Sequence, residues 1–93
     1  MDANRILIRD EIEPHGDLYW QEAYQLGKGD RIPGLVDGQV VPMMVLHTAA
    51  YGPGQFGITA LAPGGVEHHL LVEHDETFVR AEGVMDKIEL AKS

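Results

Sequence analysis

Val36-Asp37-Gly38-Gln39-Val40-Val41-Pro42-Met43-Met44-Val45-Leu46-His47-Thr48 is the stretch on which the fold of this chain turns. Asp-Gly is a pair that accepts two positive φ values at low steric cost, as a tight hairpin turn requires. The residues from Val40 to Thr48 then read as a strand, and Pro42 near its start is compatible with an edge or a bulge, where a missing donor is tolerated.

Toward the C-terminus, Ala50-Tyr51-Gly52-Pro53-Gly54 collects turn formers. Phe56, Ile58, Ala60 and Ala62 then alternate with Gly57, Thr59 and Leu61, the two-residue period of a strand with one buried face. Pro63-Gly64-Gly65 turns the chain again, Val66 to Val72 is expected to pair back, and Thr77 to Ala81 gives another short strand. From Val84 to Leu90 the spacing fits a helix through Val84, Met85 and Ile88, or a strand through Ile88 and Leu90.

Toward the N-terminus, Gly27 to Gly34 reads as a loop with a short extended piece. Leu18 to Leu26 fits a strand with Leu18, Trp20, Tyr24 and Leu26 on one face, or a helix capped by Asp17 and ended by Gly27; the strand is preferred for its first half. Arg5 to Ile12 is rich in isoleucine, with Asp10 out of pattern, and is expected to form a hairpin with residues 18–26 around the turn at Glu13–Asp17. Turn signals at short, regular intervals with little helical period predict a mainly β chain: a small antiparallel barrel or roll of about five to seven short strands, with room for one short helix.

The chain has 93 residues, enough for one core and hence a single domain over 1–93. Trp20, Tyr19, Tyr24, Tyr51, Phe56 and Phe78 are its whole aromatic set and the expected core anchors. There is no cysteine, so disulfides and thiolate metal sites are excluded. No apolar run approaches the roughly 20 residues of a membrane helix. Met1-Asp2-Ala3-Asn4-Arg5 lacks the basic-then-apolar pattern of a secretory signal, so a cytoplasmic location is the expectation.

Fifteen acidic against seven basic residues give a net charge of −8. Residues 1–26 carry six acids and two bases, residues 27–66 two and two, and residues 67–93 seven and three, so the charge sits at both ends. No cluster of Lys and Arg exists to neutralise phosphates, which disfavours nucleic-acid and anionic-membrane binding and leaves a protein partner, a basic one in particular. Edge strands in so small a sheet also make a homodimer an option.

His68, His69 and His74 with Glu67, Glu73, Asp75 and Glu76 form the one cluster whose residue types suit a metal. On a strand His68 and His69 point to opposite faces, so a site needs a neighbouring strand, for which His47 is the natural candidate. The other interpretation is a set of solvated histidines on an exposed face, and protonating all five histidines of the chain would move its formal charge from −8 to −3. Trp20, Tyr24 and Tyr51 are the candidate anchors of a protein interface if they do not fill the core. The single serine is Ser93, and Thr48, Thr59 and Thr77 lack an activating context, so covalent catalysis is not expected. Asp30, in its turn beside Gly29, is expected to bond its own backbone.

Leu26-Gly27-Lys28-Gly29-Asp30-Arg31-Ile32, with Tyr51-Gly52-Pro53-Gly54-Gln55-Phe56 and the stretch from Ala62 to Val79, resembles small SH3-like β-barrels of uncharacterised actinobacterial and actinophage proteins. The likeness covers about half the chain and implies a fold more than a function. Pro63-Gly64-Gly65, His69, Glu76 and Gly83 resemble part of the first metal-binding motif of cupins, which would imply a divalent transition metal held by His69 and Glu76, with His47 from a neighbouring strand. The second histidine of that motif falls on Leu71, and only ten residues follow Gly83, too few for a second motif. The expectation is therefore a non-catalytic small β-barrel interaction module without a cofactor. A cupin-like metal protein or small enzyme is the first alternative, and an acidic mimic of nucleic acid the second.

Overall fold

The computed structural model describes residues 3–92. Of the described residues 51% are strand and 10% helical turn, and among them antiparallel sheets form a nearly closed barrel of nine short strands. They are β1 (Arg5–Ile6), β2 (Ile12–Pro14), β3 (Trp20–Glu22), β4 (Arg31–Val36), β5 (Gln39–Ala50), β6 (Gln55–Leu61), β7 (Glu67–Glu73), β8 (Thr77–Val79) and β9 (Ile88–Leu90). The main sheet has the order β1-β4-β5-β6-β7, and two ribbons, β2-β9 and β3-β8, complete the structure. β1 lies alongside β7 without a ladder between them.

The hairpin at residues 36–39 forms as the sequence predicts. Asp37 (φ 50°) and Gly38 (φ 81°) supply the two left-handed residues, and the Asn4 side chain accepts the Asp37 N–H at 2.8 Å. A two-residue loop makes Val36 and Gln39 a hydrogen-bonded pair, so Pro33 and Pro42, which face each other, occupy a non-hydrogen-bonded pair. On its other edge Pro42 precedes Met44, where β6 begins to pair, so neither ladder of β5 loses a bond to it.

β5 is the longest strand, twelve residues, and belongs to both halves of the sheet: Gln39–Met44 pair with β4 and Met44–Ala50 with β6. Between Val45 and His47 the register shifts by one, with Leu46 as the extra residue of a β-bulge. The bulge bends the strand, as closing so small a barrel demands.

Ile6, Leu26, Ile32, Met43, Val45, Ile58 and Phe78 fill the barrel, and Leu7, Ile12, Leu35, Val79, Ala81 and Ile88 form a second cluster beneath the β2-β9 ribbon and its connections. The core is aliphatic, contrary to expectation. Of the six aromatics only Phe78 is fully buried; Trp20 and Phe56 are half-buried, and Tyr19, Tyr24 and Tyr51 are exposed.

The first thirty residues differ most from the sequence-based expectation. The run from Arg5 to Ile12 is not one strand, because a 3-10 turn at Arg9–Glu11 interrupts it at the out-of-pattern Asp10. Glu11 fixes that turn, accepting the Ile8 N–H at 3.1 Å and the Arg5 Nε at 2.6 Å. Nor does this run pair with residues 18–26: β1 pairs with β4, β2 with β9 and β3 with β8. Residues 18–26 are strand in their first half, as expected, followed by a 3-10 turn at Ala23–Gln25. The ambiguous tail takes both forms, a 3-10 turn at Met85–Lys87 leading into β9. Among the described residues no helix is long and apolar enough to cross a membrane.

Phe78 fills the barrel centre whereas Leu71 stands on the outer surface. In urea denaturation, Phe78→Ala is expected to cost about 3–5 kcal/mol, and Leu71→Ala to stay within about 0.5 kcal/mol of the wild type.

Candidate functional site

The outer face of β5, β6 and β7 carries a groove of about 450 Å³ lined by His47, Tyr51, Gly57, Thr59, His69 and Leu71 with the backbone around them. It is built from two rows of directly paired residues. His47, Thr59 and His69 form one row across the three strands, and Ala49, Gly57 and Leu71 the next.

The bulge at Leu46 places His47 in that row. By a two-residue period His47 would share the inward face of Met43 and Val45; with one residue added it turns outward, opposite Thr59. Thr59 is almost wholly covered, 6% exposed, and its hydroxyl lies 3.0 Å from the His69 Nδ1, which satisfies the one buried polar side chain of this face and orients the imidazole.

Gly57 gives the groove its floor. A Cβ at this position would strike the Tyr51 ring, so the absence of a side chain lets the ring lie flat on β6. Tyr51 is nevertheless 62% exposed and Leu71 57%. In the neighbouring turn the His74 N–H is bonded to the Gly54 carbonyl at 2.7 Å, and the His74 ring lies 6.2 Å from that of the exposed Tyr24. Glu67 and Glu73 stand on the same outer side of β7 and make the rim acidic.

Tyr24 and Tyr51, two of the three aromatics singled out as interface anchors, are both exposed, Tyr51 in the groove and Tyr24 beside His74. Trp20 differs: it packs half-buried against the second core cluster, with the Arg9 guanidinium 4.7 Å above its ring. His68 and His69 face opposite sides of β7, as a strand requires. His47 and His69 come to one row, but Glu76 does not join them. It sits in the turn before β8, where its carboxylate accepts the Thr77 N–H at 3.0 Å and its carbonyl the Ala23 N–H at 2.8 Å. Among the described residues His47, His69 and Glu76 do not come together as a group of three that could hold a metal ion. Asp30 bonds its own turn, accepting the Gly27 N–H at 2.8 Å.

The sequence signals for this face were Gly57 within an otherwise regular strand and the uncommitted Tyr51. Their juxtaposition was not readable, because it depends on the register of three strands. Comparison of the chain with protein families, characterised proteins and solved structures finds no match.

Thr59→Val removes the hydroxyl held by His69 without changing the shape of the site. It is expected to cost about 0.5–1.5 kcal/mol in urea denaturation. Adding His69→Ala to that variant should cost nothing further, a non-additivity that a double-mutant cycle reads directly.

Proposed function

We propose that this chain is a non-catalytic protein-interaction module whose binding face is the outer surface of β5, β6 and β7. The observation that carries it is the open groove bounded by Tyr51 and Leu71, two large apolar side chains each more than half exposed on the solvent side of an antiparallel sheet. A sheet face with no partner is normally polar, and apolar surface gathered around a concave site marks a place of contact.

The occupant is a protein segment that inserts an apolar side chain between Tyr51 and Leu71 and carries Lys or Arg beside it. The basic character follows from charge: Glu67 and Glu73 border the groove and the chain as a whole stands at −8. The same charge disfavours a second copy in this role, since two such surfaces would repel each other. Groove shape and rim charge divide the work, the apolar contact supplying affinity and the carboxylates steering the encounter.

Random peptides displayed on phage and selected on the intact chain test this directly. The expected winners carry one large apolar residue flanked by Lys or Arg, and Leu71→Glu weakens them by about tenfold or more. Selection of acidic peptides, or of peptides indifferent to Leu71→Glu, would overturn the assignment. The second of these results, combined with steep weakening by salt, is what an acidic nucleic-acid mimic would give.

A further inference from the structure

We propose that Glu13, His15 and Glu89 form a binding site for a first-row divalent cation, zinc foremost, on the exposed face of the β2-β9 ribbon. The site shares no residue with the groove and does not depend on its function.

Glu13 and Glu89 are directly opposite in the antiparallel register, and His15 follows two residues after Glu13 on the same face. Each of the three side chains offers one ligand atom, and these atoms all lie within 4.8 Å of one another. The His15 Nε2 is already 3.3 Å from the Glu89 Oε2. A tetrahedral ion with bonds of about 2.0–2.2 Å holds its ligands about 3.3–3.6 Å apart, so small rotations of three exposed side chains supply three of its four ligands and leave the fourth position to water. Two ligands from one strand and one from its partner also fix a shape, because the backbone bonds His15 N–H to Lys87 O (2.8 Å) and Ala91 N–H to Glu11 O (2.9 Å) pin the ribbon on both sides of the Glu13–Glu89 pair.

The register itself points to a cation. Like charges directly opposite on paired strands destabilise a sheet, and the fold brings these two carboxylates together without a Lys or Arg within 4.0 Å of either, among the described residues. Lys87, opposite His15, runs its stem toward Gly16: an added Cβ on Gly16 would lie 3.7 Å from the Lys87 Cδ. The countercharge inside the cluster is therefore His15 alone, which is a cation only when protonated and a metal ligand only when it is not. A divalent ion removes the repulsion and uses the imidazole lone pair as well. One nitrogen and two carboxylate oxygens suit zinc and its neighbours, whereas magnesium and calcium select oxygen-only shells.

The ribbon joins the two ends of the chain, residues 12–14 to residues 88–90, so a bound ion would tighten their closure and raise the stability of the native state. The test uses the full chain, stripped with chelator, in thermal unfolding and in titration calorimetry with Zn²⁺ and with Mg²⁺ at the same concentration. One equivalent of Zn²⁺ and a higher Tm are expected, with no response to Mg²⁺. His15→Ala and Glu89→Gln should each weaken Zn²⁺ binding by about tenfold or more, and His69→Ala should leave it unchanged. Mn²⁺ added to ¹⁵N-labelled protein should broaden amide signals around residues 13–15 and 87–89 first. All three ligand side chains are exposed, so the variants fold and circular dichroism checks that they do. Absence of stabilisation by Zn²⁺, wild-type binding by His15→Ala, or loss of binding in His69→Ala would each overturn the site; none of these bears on whether peptides occupy the groove.

Discussion

The bulge at Leu46 is the constraint on which the barrel and its outer surface both depend. β5 pairs with β4 through its first half and with β6 through its second, and a flat twelve-residue strand could not serve two ladders that curve around one core. The extra residue bends the strand and also reverses its parity. Met43 and Val45 point inward before it, and after it Thr48 pairs with Ile58 on the inner side while His47 turns out. A single insertion thus closes the barrel and creates the row His47–Thr59–His69.

Stability rests on aliphatic packing with one aromatic at its centre. Phe78 lies on a three-residue strand between Thr77 and Val79, held by β3 on one side, so the barrel core is completed from a ribbon outside the main sheet. The two ribbons therefore do more than tie down the termini. Without β8 the barrel would lose its largest buried side chain, and without β2 and β9 the cluster around Leu7, Leu35 and Val79 would open to water. With the core filled by Ile, Leu, Val, Met and Ala, the tyrosines are released to the surface, where an apolar ring with a polar tip is useful for contact.

Charge is arranged on this scaffold so that the two surfaces differ. On the outer sheet the carboxylates of Glu67 and Glu73 stand at the rim of an apolar groove, separated by His69 and Leu71, and act as a field. On the β2-β9 ribbon Glu13 and Glu89 are forced face to face and act as neighbours. The net charge of −8 describes both equally and distinguishes neither.

Local chemistry was enough to determine the β class, the hairpin at Asp37-Gly38, the strand alternating through Phe56, Ile58 and Ala60, and the opposite facing of His68 and His69. Each of these follows from φ preferences or from the two-residue period within a single segment. The pairing of β1 with β4, β2 with β9 and β3 with β8 was decided by tertiary structure alone, because strands of two or three residues have too little pattern to choose a partner until the core they cover exists. The exposure of Tyr24 and Tyr51 was settled in the same way, since which apolar residues go inside depends on the volume left by the others. Both candidate sites belong to this second kind. His47 meets Thr59 through a bulge that no residue type announces, and Glu13 meets Glu89 across 76 positions of sequence through a backbone register set by the whole fold.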